Sequence, residues 1–167
     1  MHNELTEMDI QKMKEEYHYR LTELTPKLIE ALQHARDLGD LSENDEYRSA
    51  KRELSANYGR MRYLNNMIAT AVVIQTDSDE DKVGLFDKVT LFYEEDGSEN
   101  TIRIVTTLRN DVIHGLISKE SPFGKAVLGH KVGDRVNIQV NDSYSYYVVI
   151  RSIEKGEDDG SLAINSY

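Results

Sequence analysis

Two apolar seams, each stepping by three or four residues, dictate most of what the first half of this chain can become. The first runs Tyr17, Leu21, Leu24, Leu28, Ala31, Ala35, Leu38; the second runs Tyr47, Ala50, Leu54, Asn57, Met61, Leu64, Ile68. A helix turns once every ~3.6 residues, so this spacing lines one face of a helix and no face of a strand. Only a short polar stretch separates the seams, and two helices joined so closely fold back as an antiparallel hairpin. At about 1.5 Å per residue, roughly 28 residues make an arm of about 40 Å. Ala31, Ala35 and Ala50 lie nearest the turn and let the helices approach, so the arm is expected to narrow toward its tip.

Several single residues refine the hairpin. Thr6 can cap the first helix, with Asp9 as its acidic capping-box partner. Pro26 removes a backbone donor inside the seam, which predicts a kink or break between Leu24 and Leu28. Gly39 stands where a helix C-terminal glycine should. Asn57 is a polar residue at a core position, read as a device that sets helix register rather than as a site. Gly59 is mildly destabilising in a helix and has no evident purpose.

The turn itself is Gly39-Asp40-Leu41-Ser42-Glu43-Asn44-Asp45-Glu46-Tyr47, with four carboxylates between Asp40 and Glu46 and no base among them. A helical turn needs polarity, but such a cluster repels itself. Asp40 with Glu43, or Ser42 with Asp45, can form a capping box. Only one box can form, so at least two of the acids are left over. Asp40 and Glu43 are three apart and can share a face. Their oxygens suit Mg²⁺, which usually takes one or two protein carboxylates together with phosphates and waters. Two acids on an exposed tip hold such an ion weakly, and the positive end of a helix dipole weakens them further. A metal site here would have to be completed by a partner. Glu46 can simply complement the dipole, and Tyr47 starts the seam, although an aromatic near the tip can also stack on a base. Arg36, Arg48, Lys51 and Arg52 surround the base of the tip, where they form either a solvated face or a contact for phosphate groups.

The second half changes period. Ala71-Val72-Val73-Ile74 is a short apolar run, followed by the acidic loop Asp77-Ser78-Asp79-Glu80-Asp81, which is taken as a domain boundary. Val89, Leu91 and Tyr93 alternate, as do Ile102 and Ile104, with Glu95-Asp96-Gly97-Ser98 as the hairpin turn between them. Ser121-Pro122 offers an N-cap with proline at the first helical position, and Gly129 lies past the end of that short helix. Lys131-Val132-Gly133-Asp134 reads as a turn before two more alternating strands, Val136, Ile138, Val140 and Tyr146, Val148, Ile150. The expectation is an α+β chain: a helical hairpin over 1–76, an antiparallel-sheet domain with one short helix over 77–155, and a polar, mobile tail over 156–167.

Charge and composition exclude several functions. The net charge is −10, divided as −3 over residues 1–76 and −7 over residues 77–167, so neither half carries the basic excess of an autonomous nucleic-acid binder. With no Cys there are no disulfides, thiolate metal sites or cysteine nucleophiles. The five His, at positions 2, 18, 34, 114 and 130, show no metal-ligand spacing. The polar start and the lack of a long apolar run read as a cytoplasmic protein without a signal peptide or membrane span. Fingerprints of nucleophile elbows, phosphate-binding loops and dinucleotide sites do not occur.

Taken together, the motifs resemble the Gre family, the transcript-cleavage factors of bacterial RNA polymerase. The resemblance rests on Ala35-Arg36, Gly39-Asp40-Leu41-Ser42-Glu43-Asn44, Glu46-Tyr47 and Ala50, then on Gly115-Leu116-Ile117-Ser118, Ser121-Pro122, Leu128-Gly129 and Val132-Gly133-Asp134. It covers nearly the whole chain up to about Lys155. The resemblance implies a coiled-coil hairpin and a domain similar to FKBP prolyl isomerases. It further implies a monomer that docks on the rim of the polymerase secondary channel and reaches the active site with its tip. There the factor would stimulate the polymerase to cleave backtracked RNA while itself being no enzyme. Asp40 and Glu43 match the acids that hold the shared Mg²⁺ and position water, with Arg36, Tyr47, Lys51 and Arg52 toward the RNA 3′ segment. Glu120, Ser121, Pro122 and Phe123 match the docking element, Glu120 replacing the more usual Asp or Asn. Two other roles compete with this one. Asp45, at a position usually small in the family, fits a channel-blocking inhibitor, and the FKBP-like half alone fits a prolyl isomerase, although its only Phe are Phe86, Phe92 and Phe123.

Overall fold

The computed structural model describes residues 3–39 and 44–166. These fall into two compact units, one holding Asp9–Val72 and the other Glu4–Met8 with Val73–Ser166. No helix among the described residues is long and apolar enough to cross a membrane.

The helical unit consists of α1 (Glu7–Tyr19), a π-helical turn (Arg20–Leu24), α2 (Thr25–Asp37) and α3 (Asp45–Thr70). As the two seams require, α2 packs along α3. At the base of the arm, β1 (Asn3–Leu5) pairs with β2 (Ala71–Val73) in a two-stranded sheet. β1 falls in a start that reads as featureless polar sequence.

Pro26 acts one turn earlier than its position suggests. The chain stays helical through it, with right-handed helical backbone angles at Leu24 and Thr25, and the irregularity lies at Arg20–Leu24. There the Thr25 N–H donates to the Arg20 carbonyl, five residues back, in the wide pattern of a π-turn. Proline has no N–H to continue the regular ladder, so the bonds just before it are re-spaced rather than broken. The inner row keeps Leu24, Leu28 and Ala35 of the expected seam but departs from it elsewhere. Leu21 and Leu38 are exposed, Ala31 is exposed as well, and Leu24, Leu28, Leu32 and Ala35 form the inner row instead. The α3 seam runs as its spacing predicts, from half-buried Tyr47 through buried Asn57, Met61 and Leu64.

A polar layer sits beside the π-turn. Asn57 Nδ2 donates to Thr25 Oγ1 at 2.7 Å, while Arg20 Nη1 donates to Asn57 Oδ1 at 2.9 Å. Glu16 accepts from Arg20 Nε at 2.8 Å and from Arg60 Nε and Nη2 at 2.8 and 2.9 Å. Asn57 thus bonds across the hairpin, which agrees with the register reading. Burial pushes the Glu16 carboxyl up, but hydrogen bonds from Arg60 and Arg20 outweigh it and hold the group below its ordinary value.

The second unit is a five-stranded sheet in the order β5-β4-β3-β7-β6, built from β3 (Lys88–Tyr93), β4 (Glu99–Val105), β5 (Leu116–Ser118), β6 (Arg135–Asn141) and β7 (Tyr144–Glu154). Val89, Leu91, Ile102, Ile104, Val136, Ile138, Val148 and Ile150 supply its buried core, as their alternation predicts, with Val127 of α4 (Pro122–Val127). The sheet is mixed rather than wholly antiparallel, because β5 runs parallel to β4. This short strand is bounded by its own turn, since Asp111 and Leu116 exchange backbone hydrogen bonds at 2.8 and 2.9 Å.

The expectation of a mobile tail is corrected by the tail's anchors. Asp158 pairs with Arg109, a side chain with 0% exposure, through Nη1 at 3.2 Å and Nη2 at 3.1 Å. Arg109 also donates to the Leu162 carbonyl, the Asn165 N–H reaches the Leu108 carbonyl at 2.7 Å, and Leu162 packs against the core. A polar composition concealed this because the buried charge is on the sheet domain and its partner on the tail.

Three outcomes follow for stability. A Cβ at Gly59 would meet nothing nearer than Arg62 Nη2 at 3.9 Å, so Gly59→Ala is expected to stabilise the hairpin by about 0.5–1 kcal/mol in thermal unfolding. Because the folded-state pKa of Glu16 is depressed, its contribution is present above the ordinary carboxyl value of 4.5 and is lost as pH falls through the folded value. Glu16→Gln should therefore cost about 1–3 kcal/mol at neutral pH and flatten the acid limb of a helicity–pH curve. Asp158→Ala removes the carboxylate facing a buried guanidinium and should cost about 3–5 kcal/mol in denaturant unfolding.

Candidate functional site

The turn between α2 and α3 is where the acids, the bases and the helix ends converge. Asp40, Leu41, Ser42 and Glu43 lie outside the described residues, so the site is built from its two flanks. On the α2 side, Leu38 closes the helix with its N–H on the Ala35 carbonyl at 3.3 Å, and Gly39 follows with φ of +136°. On the α3 side the N-cap is Asn44, with extended backbone at φ −85° and ψ 97°, its Oδ1 accepting from the Tyr47 N–H at 3.0 Å. Asparagine is among the best N-caps, since its carbonyl reaches an orphan amide in the first turn. The cap of α3 therefore belongs to neither capping box that the sequence suggests.

The identity of this cap sorts the acids. Asp45 and Glu46 become the first residues of α3, where a negative charge faces the positive end of the helix dipole. The Asp45 side chain is 95% exposed and lies 3.8 Å from Arg48 Nη1. Arg48, Lys51, Arg52 and Ser55 line one open groove with Asp45 along α3. Spacings of three and four residues bring these bases to one side of the helix, so the structure assembles Lys51 and Arg52 with Arg48 as a basic face. Arg36 is exposed on α2 and does not line that groove, and Tyr47 is half-buried in the seam. Among the described residues, no group of three or more His, Asp or Glu side chains is placed to hold a metal ion.

The second cluster singled out from sequence is Glu120-Ser121-Pro122-Phe123, and most of it serves local architecture. Ser121 Oγ accepts from the Gly124 N–H at 2.9 Å and donates to the Ser118 carbonyl at 2.7 Å, so it both caps α4 and ties it to β5. Gly124 is required there, because a Cβ would lie 2.2 Å from the Ser118 carbonyl oxygen. Phe123 is half-buried and packs against the sheet core. Glu120 and Pro122 are exposed. Glu120 stands between Lys119 at 3.2 Å and Lys125 at 3.3 Å, and its hydrogen bond from Lys119 holds its carboxyl below the usual range. Lys119 in turn pairs with Glu4, near the start of the chain.

Asn44 belongs to the Gly39–Asn44 motif, but the sequence reading gives it no role as the cap of α3. The signal was present, since an Asn directly ahead of a helical seam is a strong cap. Two acid-containing boxes overlap the same stretch and offer competing caps.

Comparison with known proteins agrees with both halves. Residues 3–73 match the family described as "Transcription elongation factor, N-terminal", and residues 77–155 match "Transcription elongation factor, GreA/GreB, C-term". Transcription elongation factor GreA of Oenococcus oeni is 38% identical over 154 residues, covering 92% of this chain and 95% of its own. The GreA of Bacillus subtilis is 40% identical over 129 residues, covering 77% of this chain and 82% of its own. Among solved structures, GreA factor homolog 1 of Thermus thermophilus aligns over 93% of this chain and 100% of its own at 23% identity, with a TM-score of 0.43. A helical hairpin followed by a sheet domain, matched in order and nearly end to end, places this chain in the GreA/GreB family of transcription elongation factors.

Proposed function

We propose that this chain inserts its helical arm into the secondary channel of bacterial RNA polymerase and stimulates the polymerase's own cleavage of backtracked RNA, returning arrested complexes to elongation. The observation that carries the reading is the pairing, on one hairpin, of an acid-dense turn with the basic face of Arg48, Lys51 and Arg52 just below it. Carboxylates at the turn favour a cation, and guanidinium and ammonium groups nearby favour phosphate. An RNA 3′ segment and a metal ion meeting at the tip would satisfy both.

In this role Asp40 and Glu43 are the working acids. Two carboxylates would suit Mg²⁺, with phosphate oxygens, waters and ligands from a partner supplying the rest. When bound and shared with the polymerase, the ion would make water a better nucleophile and stabilise the leaving oxygen. The chain's own residues hold and orient. Asp40 and Glu43 present oxygen ligands and accept a hydrogen bond from the attacking water. Lys51 and Arg52, with Arg36 and Tyr47 further round the arm, steady the displaced RNA. Glu120, Ser121, Pro122 and Phe123 form the element that docks on the channel rim. The chain works as a monomer in the cytoplasm and hydrolyses nothing by itself.

Asp45 is the residue that favours a blocking role without cleavage. Its place in the first turn of α3, beside Arg48, gives it a local reason to be acidic, and this supports cleavage over blockade. The test uses stalled complexes of purified polymerase. The wild-type chain should shorten the RNA, and Asp40→Ala with Glu43→Ala should lower that rate on the order of 10²-fold or more. Equal cleavage with and without those acids would sink the mechanism. Slower nucleotide addition with no RNA shortening would mark the blocking role instead.

A further inference from the structure

We infer that Asn44 is a positioning residue for the acidic turn, because its side chain ties the last turn of α2 to the first turn of α3 and so fixes both ends of the stretch carrying Asp40 and Glu43. The inference rests on the cleavage role proposed above. Its ground is the use of both halves of one amide. Asn44 Oδ1 accepts from the Tyr47 N–H at 3.0 Å, while Asn44 Nδ2 donates to the Ala35 carbonyl at 2.6 Å, nine residues back. The Asn44 carbonyl also accepts from the Arg48 N–H at 3.2 Å, which seats the residue on α3 through its backbone. Ala35 is itself only 3% exposed, so the carbonyl that receives the bond belongs to a packed part of α2.

Capping alone does not account for this residue. Asp, Ser or Thr would serve the Tyr47 amide equally well, since a cap needs only an acceptor. What Asn adds is a donor on the same planar group, and that donor is spent on the opposite helix. The geometry therefore separates two roles that share one side chain: a cap for α3, and a clip between helices. The clip has something to oppose. Four carboxylates between Asp40 and Glu46 repel one another, and that repulsion favours spreading the helix ends. A catalytic group displaced by about 1 Å can lose on the order of 10²-fold in rate, so a residue that fixes the ends of the turn acts on the chemistry without touching RNA or metal.

The variants that separate the roles are Asn44→Ser and Asn44→Asp. Both keep an acceptor for the Tyr47 amide, and neither carries an amide donor that reaches Ala35. With the full-length chain and purified polymerase, each should lower the maximal cleavage rate at saturating factor by about tenfold or more, leave the half-saturating factor concentration unchanged, and raise the Mg²⁺ concentration required. In the free protein, the ¹⁵N-labelled side-chain amide of wild-type Asn44 should exchange slowly, while Tyr47 N–H protection should persist in Asn44→Ser and be lost in Asn44→Ala. Wild-type maximal cleavage by Asn44→Ser overturns the inference. So does a defect that vanishes at saturating factor, or one confined to Asn44→Asp, which would report added charge. If Asp40→Ala and Glu43→Ala abolish cleavage while Asn44→Ser is unimpaired, only the clip fails. A wild-type chain that stimulates no cleavage removes the proposed role itself.

Discussion

The helical unit depends on one joint, where Glu16 lies between Arg20 and Arg60 and Asn57 reaches across to Thr25. A half-buried carboxylate is stabilised when charge and hydrogen bonds surround it, and Glu16 has three short donors from two guanidinium groups. An all-apolar seam would pack as well and would permit sliding, because Leu over Leu differs little from Leu over Met. A polar layer permits one register, since any shift strands a donor. The layer lies where the wide π-turn has already disturbed the helix, so the place least able to define register by ladder bonds defines it by side chains. Everything nearer the tip inherits that alignment, including the match between Ala35 on α2 and Asn44 on α3.

Near the turn the balance of forces changes from packing to charge. The N-terminal end of α3 carries a partial positive charge that Asp45 and Glu46 can complement, and Arg48 offers Asp45 a weak exposed pair. One turn further, the same helix presents Lys51 and Arg52. The charge of the arm is therefore patterned along its axis rather than dispersed. A net charge of −3 over residues 1–76 conceals this, because the sum cancels what the order of the residues separates.

Much of this was legible in the sequence, for identifiable reasons. Period carried the strongest signal: the α3 seam and the alternation of Val89, Leu91, Ile102, Ile104, Val148 and Ile150 all translate into burial. Turn chemistry was equally readable at Ser121-Pro122 and at Glu95-Asp96-Gly97-Ser98, where short-range hydrogen bonding decides the geometry. What escaped was whatever depends on contacts distant in sequence. A proline announces a lost hydrogen bond but not that the widened turn lies at Arg20–Leu24, and a spacing of three or four fits Leu32 as well as Ala31 between Leu28 and Ala35. β1 and β5 are three residues each, too short for periodicity, and exist through their partners. The tail reads as solvated because Asp158 finds Arg109 forty-nine residues away. At the candidate site the acids and bases were readable as types and Asn44 as a possible cap, but its bond to α2 was not, since that depends on Ala35 being brought opposite by the hairpin.

Little of the sequence proposed above as a docking element is available for recognition. Of Glu120-Ser121-Pro122-Phe123, the serine hydroxyl is committed to Gly124 and Ser118, and the phenyl ring to the core. That leaves a proline ring and a carboxylate on the surface, and the carboxylate already has Lys119 and Lys125 beside it. A partner that approached this element for its charge would have to displace one of those lysines or accept a largely neutralised group. The Lys125 pair is exposed on both sides and exchanges readily, being worth less than about 1 kcal/mol in water, whereas the Lys119 side chain is largely buried and also holds Glu4. Glu120 is longer than an aspartate by one methylene, which lets the same carboxylate turn toward either lysine or outward. Either arrangement leaves the fold intact, since α4 is held by Ser121 and Gly124 and not by Glu120.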